Sequence, residues 1–159
     1  MNRILSSVFL GALFTIGSAA IAAESASDPV LGSWTLNVAK SKFSADHALK
    51  SQTRMYSQSA EGITLNMKTV GADGKETTTK TTYHLDGKDY PVTGSPEYDS
   101  LSAKQINTNT AAFTLKKAGK AVGTTRRTVS KDGKTLTATD KMPDAMGMTS
   151  VDVAVFDKQ

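Results

Sequence analysis

The stretch Val30-Leu31-Gly32-Ser33-Trp34-Thr35-Leu36-Asn37-Val38 holds the chain's only tryptophan, and its alternation decides how the rest is read. Val30, Trp34, Leu36 and Val38 are apolar, while Ser33, Thr35 and Asn37 between them are polar. A period of two residues sends successive side chains to opposite faces, so this is a strand with one dry and one wet face. A dry face needs further strands to cover it.

The chain downstream supplies them. Gln52 to Ser59 reads as a weakly patterned strand, and Glu61-Gly62 turns it into Ile63, Leu65 and Met67 alternating with Thr64, Asn66 and Lys68. Asp73-Gly74 offers the positive φ values of a tight hairpin turn, and the threonine-rich run Glu76 to Leu85 favours a long strand. Asp86-Gly87-Lys88, Ala118-Gly119-Lys120 and Asp132-Gly133-Lys134 repeat the punctuation between strand-like runs. Those runs are Tyr90 to Thr93, Leu101 to Ile106, Ala111 to Lys117, Ala121 to Ser130 and Thr135 to Asp140. Ser150 to Phe156 closes the series, with Val151, Val153 and Val155 expected on the dry face. Between the first two strands, Lys40 to Lys50 has room for one short helix capped by Ser44 or Asp46. Local hairpins throughout predict an all-β fold, a single antiparallel up-and-down β-barrel of roughly 8–10 strands with at most one short helix.

Residues 1–23 read as a secretory signal peptide: Met1-Asn2-Arg3 is the charged start, Ile4 to Ile16 the apolar core, and Ala19 to Ala23 the small-residue cleavage region. Cleavage after Ala22 and after Ala23 both fit. The protein is therefore expected in a periplasm or outside the cell, with residues 24–159 as one domain and no transmembrane segment after cleavage. The formal charge is +4, and the absence of cysteine means that stability must come from a buried core and a closed hydrogen-bond network rather than disulfides.

Gly32-Ser33-Trp34 in a first strand that continues Thr-Leu-Asn, followed by a meander of hairpins, resembles the calycin superfamily. Lipocalins and intracellular fatty-acid-binding proteins are the nearest types, as are small exported bacterial proteins with a Gly-x-Trp start. The resemblance implies a tryptophan plugging the closed end of the barrel, crossed by an arginine from a late strand. Arg127 matches that role, because it shares strand parity with Val129, whereas Arg126 faces outward. The chain has Val155-Phe156-Asp157 where fatty-acid-binding proteins carry Arg-x-Tyr, and it lacks their two-helix lid, so their ligand-recognition residues do not carry over.

The inward positions are the candidate ligand-binding residues: Trp34 and Leu36; Ile63, Leu65 and Met67; Tyr83; Leu101; Phe113 and Leu115; Arg127; and Val153. Small barrels either fill this space with side chains or hold one small ligand. With aromatics at only 6% and many inward Thr, Ser and Ala, the first reading is a small, mostly apolar ligand in the interior. The alternative is an interaction module with a packed interior, a periplasmic inhibitor or envelope-associated protein. Arg127 either stacks on Trp34 or binds an anion; both readings bury it, since an isolated interior charge is costly.

Met142, Met146 and Met148 put three soft thioether donors in one turn, which suits Cu(I), with His84 or His47 as a further donor; packing on the barrel rim is the other reading. Lys116, Lys117, Lys120, Arg126, Arg127, Lys131 and Lys134 face one acid, Asp132, over two adjoining hairpins. That makes a basic face, either attractive to an anionic envelope component or simply solvated. No nucleophile elbow, zinc-spaced histidine pair or phosphate loop is present, so neither an enzyme nor a bound cofactor is expected. Nucleic acid is not an expected partner, because there is no aromatic stacking platform.

Overall fold

The computed structural model describes residues 27–159. The signal-peptide reading of residues 1–23 lies outside them. The described residues form ten strands: β1 (Gly32–Leu36), β2 (Leu49–Ser59), β3 (Gly62–Gly71), β4 (Glu76–Tyr83), β5 (Asp86–Thr93), β6 (Ser100–Asn107), β7 (Thr110–Lys117), β8 (Lys120–Val129), β9 (Thr135–Pro143) and β10 (Thr149–Lys158). Each pairs antiparallel with its sequence neighbour, and β1 pairs with β10 through Trp34–Lys158, Thr35–Asp157 and Leu36–Phe156. The sheet therefore closes on itself, and every strand has two partners. Closure removes the free edges that would otherwise template aggregation. This is the up-and-down architecture the hairpin spacing predicts, and it is compatible with a calycin-like fold.

The β1–β2 connection contains no α-helix, only 3₁₀ turns at Val38–Lys40 and Ala45–His47. Ser44 precedes the second turn but makes no side-chain cap bond. The connection instead runs beside β10: Asn37 N donates to Val155 O at 2.8 Å, and Lys42 and Val153 exchange bonds of 2.8 and 2.7 Å. It extends the short seam that closes the barrel.

Two expectations need correction. Asp86-Gly87-Lys88 is not the β4–β5 turn; His84 and Leu85 make that turn, and Gly87, at φ +80°, lies in a bulge at the start of β5. The Asp86 carboxylate accepts from Lys88 N at 3.0 Å and from Tyr90 Oη at 3.0 Å, so the motif folds as a local Asx turn inside the strand. Ala118-Gly119 does form a tight turn, with φ of +50° and +77°. In β10 the parity is the reverse of the expected one: Asp152, Ala154 and Phe156 are buried, while Val151 is 53% exposed and Val153 lies on the outer side. Ala154 stands opposite Ala138 and Phe156 opposite Leu136, so packing against β9 sets the inner face.

Hairpin turns alternate between the ends of the barrel. One end is capped by the β2–β3, β4–β5, β6–β7 and β8–β9 turns and by the segment preceding β1. Here the core is packed: Trp34, Val30, Leu136 and Phe156 are fully buried, with Tyr83 and Val129 nearly so. Trp34 Nε1 donates to Val30 O at 2.6 Å, which satisfies the indole's one polar group. Burying roughly 150–250 Å² of indole at about 25 cal/mol/Å² stabilises this end by about 4–6 kcal/mol.

Candidate functional site

The opposite end is open. Behind the β1–β2 connection and the β3–β4, β5–β6 and β9–β10 turns lies a cavity of about 510 Å³. Its size is in the range that takes a drug-sized molecule. Strand parity brings Leu65 and Met67 from β3, Leu101 from β6, and Phe113 and Leu115 from β7 to its wall. Tyr83 and Arg127 line its deeper part. The remaining expected interior residues do not reach it: Trp34, Leu36 and Ile63 belong to the packed core, and Val153 is on the outer side. The interior is thus packed at one end and open at the other, not filled throughout.

Arg127 is 3% exposed, as both sequence readings required, yet it does not cross the tryptophan. Its guanidinium lies 5.5 Å from the Tyr56 ring centre and 5.4 Å from that of Phe113. It donates to Tyr83 Oη at 2.9 Å and to Asp28 Oδ2 at 3.0 Å, while Nε has no partner. The cation over Trp34 is Lys158, 5.1 Å away, which the β1–β10 register places directly opposite. Burial works against the Arg127 charge, but Tyr83, Tyr56 and Asp28 more than offset it, so its pKa lies above the ordinary value. Tyr83 is raised as well, chiefly by desolvation, and so remains a phenol facing a permanent guanidinium.

Nearer the mouth is a polar wall that strand patterning did not single out. Gln52 and Arg54 come from β2, Asp140 from β9, Asp152 from β10, and Tyr98 from the β5–β6 loop. Gln52 Nε2 donates to Thr69 Oγ1 at 2.8 Å, and its Oε1 accepts from Arg54 Nε at 2.8 Å. The Arg54 guanidinium lies 4.4 Å from the centre of the Phe156 ring. Asp140 accepts from Thr125 Oγ1 at 2.5 Å. Desolvation raises the Asp140 pKa, against opposing pulls from Arg54 and Thr125. Burial likewise pushes Tyr98 up to about 12. Parity could have found Asp140, which alternates with Leu136 and Ala138, but β2 carries too few apolar residues to orient Arg54.

Asp152 ties the β1–β2 connection to β10. It accepts from Ser44 N at 2.6 Å and from His47 Nδ1 at 2.6 Å, and Ser44 Oγ lies 3.1 Å from the same nitrogen. His84 faces solvent. The methionines do not share one environment: Met142 lines the cavity, whereas Met146 is 82% and Met148 58% exposed in the β9–β10 turn. No group of three His, Cys, Asp or Glu side chains suited to a metal occurs among the described residues.

The basic face is also thinner than expected. Arg127 points inward, and Lys116 is paired with Asp89 at 2.7 Å. Of the others, Arg126 lies mid-strand in β8, Lys117 and Lys120 flank the turn at the mouth, and Lys131 and Lys134 lie at the closed end, because successive turns of an up-and-down barrel alternate. Among the described residues no helix is long and apolar enough to cross a membrane. No family model matches the chain, and no curated protein matches it.

Proposed function

We propose that this protein is an exported, non-catalytic barrel of the calycin type that holds one small, mostly apolar molecule in its interior, in a periplasm or outside the cell. The observation that carries the reading is the cavity of about 510 Å³, walled by Leu65, Met67, Leu101, Phe113 and Leu115 and open at a single end. Apolar walls with a few convergent polar groups are the common form of a small-molecule site. Binding is favoured over reaction because the Ser44 and Ser150 hydroxyls both approach His47 at Nδ1, the nitrogen Asp152 already takes. That arrangement activates no nucleophile.

The test is titration with the neutral fluorophore N-phenyl-1-naphthylamine. Wild type should give saturable, blue-shifted fluorescence at one probe per chain. Met67→Trp, which fills the cavity from its wall, should weaken binding by about tenfold or more, a loss of about 1.4 kcal/mol. Absence of saturable binding, or equal binding by a folded Met67→Trp variant, would overturn the reading. Native mass spectrometry of protein purified from its host should then reveal the retained molecule.

A further inference from the structure

We propose that Arg54, Asp140 and Tyr98 form a head-group site for an uncharged ligand that carries a hydrogen-bond acceptor beside a donor, as an amide does. The proposal rests on the cavity being the binding site. It adds which chemistry the cavity selects.

The three side chains arrive from separate parts of the barrel and face the same space. Two of them are held from behind. Gln52 Oε1 and the Phe156 ring fix the Arg54 guanidinium, and Thr125 fixes one oxygen of Asp140. Each also has capacity to spare. Among the described residues, the terminal amino groups of Arg54, the second oxygen of Asp140 and the hydroxyl of Tyr98 have no hydrogen-bond partner. The Asp140 carboxylate feels the Arg54 charge, yet the two side chains form no direct ion pair. These groups face the open cavity, where water meets them until a ligand takes its place, so a molecule that reproduces those hydrogen bonds binds better than one that does not. Such a molecule must accept from Arg54 and donate to Asp140 at once.

Charge balance narrows the class. Asp46, Asp73 and Glu97 are exposed to solvent at the rim; further in, Arg127 is matched by Asp28 and Asp152 is held by His47 and Ser44, which leaves Arg54 and Asp140 as the opposite charges of the inner wall. A carboxylate or phosphate drawn to Arg54 would bring a second negative charge beside Asp140. An ammonium drawn to Asp140 would meet Arg54. A neutral carbonyl next to an N–H satisfies both without repulsion, and charge-assisted hydrogen bonds are about twice as strong as neutral ones. The apolar body then lies along Leu65, Met67 and Leu101.

The experiment is displacement of N-phenyl-1-naphthylamine at pH 7.5 by four probes with the same ten-carbon chain: decanamide, decanoate, decylammonium and methyl decanoate, each below its aggregation threshold. Decanamide should displace at about tenfold lower concentration than the other three. In Asp140→Asn decanoate should gain about fivefold, and in Arg54→Gln decylammonium should gain similarly, because each variant removes one repulsion. The wild-type ranking needs no variant and stands if either fails to fold. Decanoate competing as well as decanamide, or a ranking unchanged in both folded variants, overturns the proposal. If the fluorophore binds wild type and is lost in Met67→Trp while decanamide holds no advantage, only the head-group site fails. If the fluorophore does not enter the cavity, the binding reading and this proposal fall together.

Discussion

Asp140 sits where an ionised carboxylate is poorly hydrated, and the consequence for stability has a definite sign. Its pKa is higher in the folded chain than the unfolded value of about 3.9, principally through desolvation. Folding therefore favours its protonated form. That contribution is present in full below the unfolded pKa and is lost as pH rises through the folded one. Asp140→Asn removes the titration while keeping an acceptor for Thr125. The variant should unfold at a higher urea concentration than wild type at pH 7, and the difference should vanish as pH falls below about 3.9. Paired urea titrations at the two pH values measure it; a variant less stable at pH 7 would show that the Arg54 attraction outweighs the lost hydration. Arg127 shows the opposite case, a buried charge whose partners more than repay its burial.

The segment before β1 behaves as an element although it has no regular structure. Asp28 folds back to accept from Val30 N at 2.9 Å and from Arg127 at 3.0 Å, and Val30 O accepts the Trp34 indole. One aspartate thus docks the segment before β1 across the closed end and neutralises the arginine beneath it. Removing one member of a buried pair strands the other charge, so Asp28→Ala should cost about 3–5 kcal/mol by urea unfolding. A loss below about 1 kcal/mol would place this pair with exposed ones. At the other end, Gly94 stands where the β5–β6 loop crosses β4. Its φ is +81°, and an added Cβ would lie 1.8 Å from Thr78 O, so no side chain fits there. That crossing lets Tyr98 reach the cavity.

At the scale of the molecule, closure makes the barrel one cooperative unit. The core runs unbroken from Val30 to Phe156, and β1, only five residues long, joins β10 to β2. No part can leave without unpairing two neighbours. Unfolding followed by the fluorescence of Trp34 at the closed end and by far-UV circular dichroism should give coincident midpoints. Separate transitions would show that the cavity end melts independently.

What the sequence by itself determined is an antiparallel up-and-down barrel of roughly 8–10 strands and the inward positions Trp34 and Leu36 of β1, Ile63, Leu65 and Met67 of β3, and Phe113 and Leu115 of β7. These depend on local patterning, turn chemistry and period-two alternation, all carried by near neighbours in the chain. The parity of β10 is not legible locally, because valine favours strands on either face and only packing against Ala138 and Leu136 selects Ala154 and Phe156 as inner residues. The partners of Trp34 and Arg127 were likewise exchanged, since register across the closing seam puts Lys158, not Arg127, over the indole. Arg54, Asp140, Tyr98 and Asp152 come to one cavity wall only in three dimensions. Each is an ordinary polar residue in its own segment, and their convergence follows from a sheet rolled until strands distant in the chain face one enclosed space.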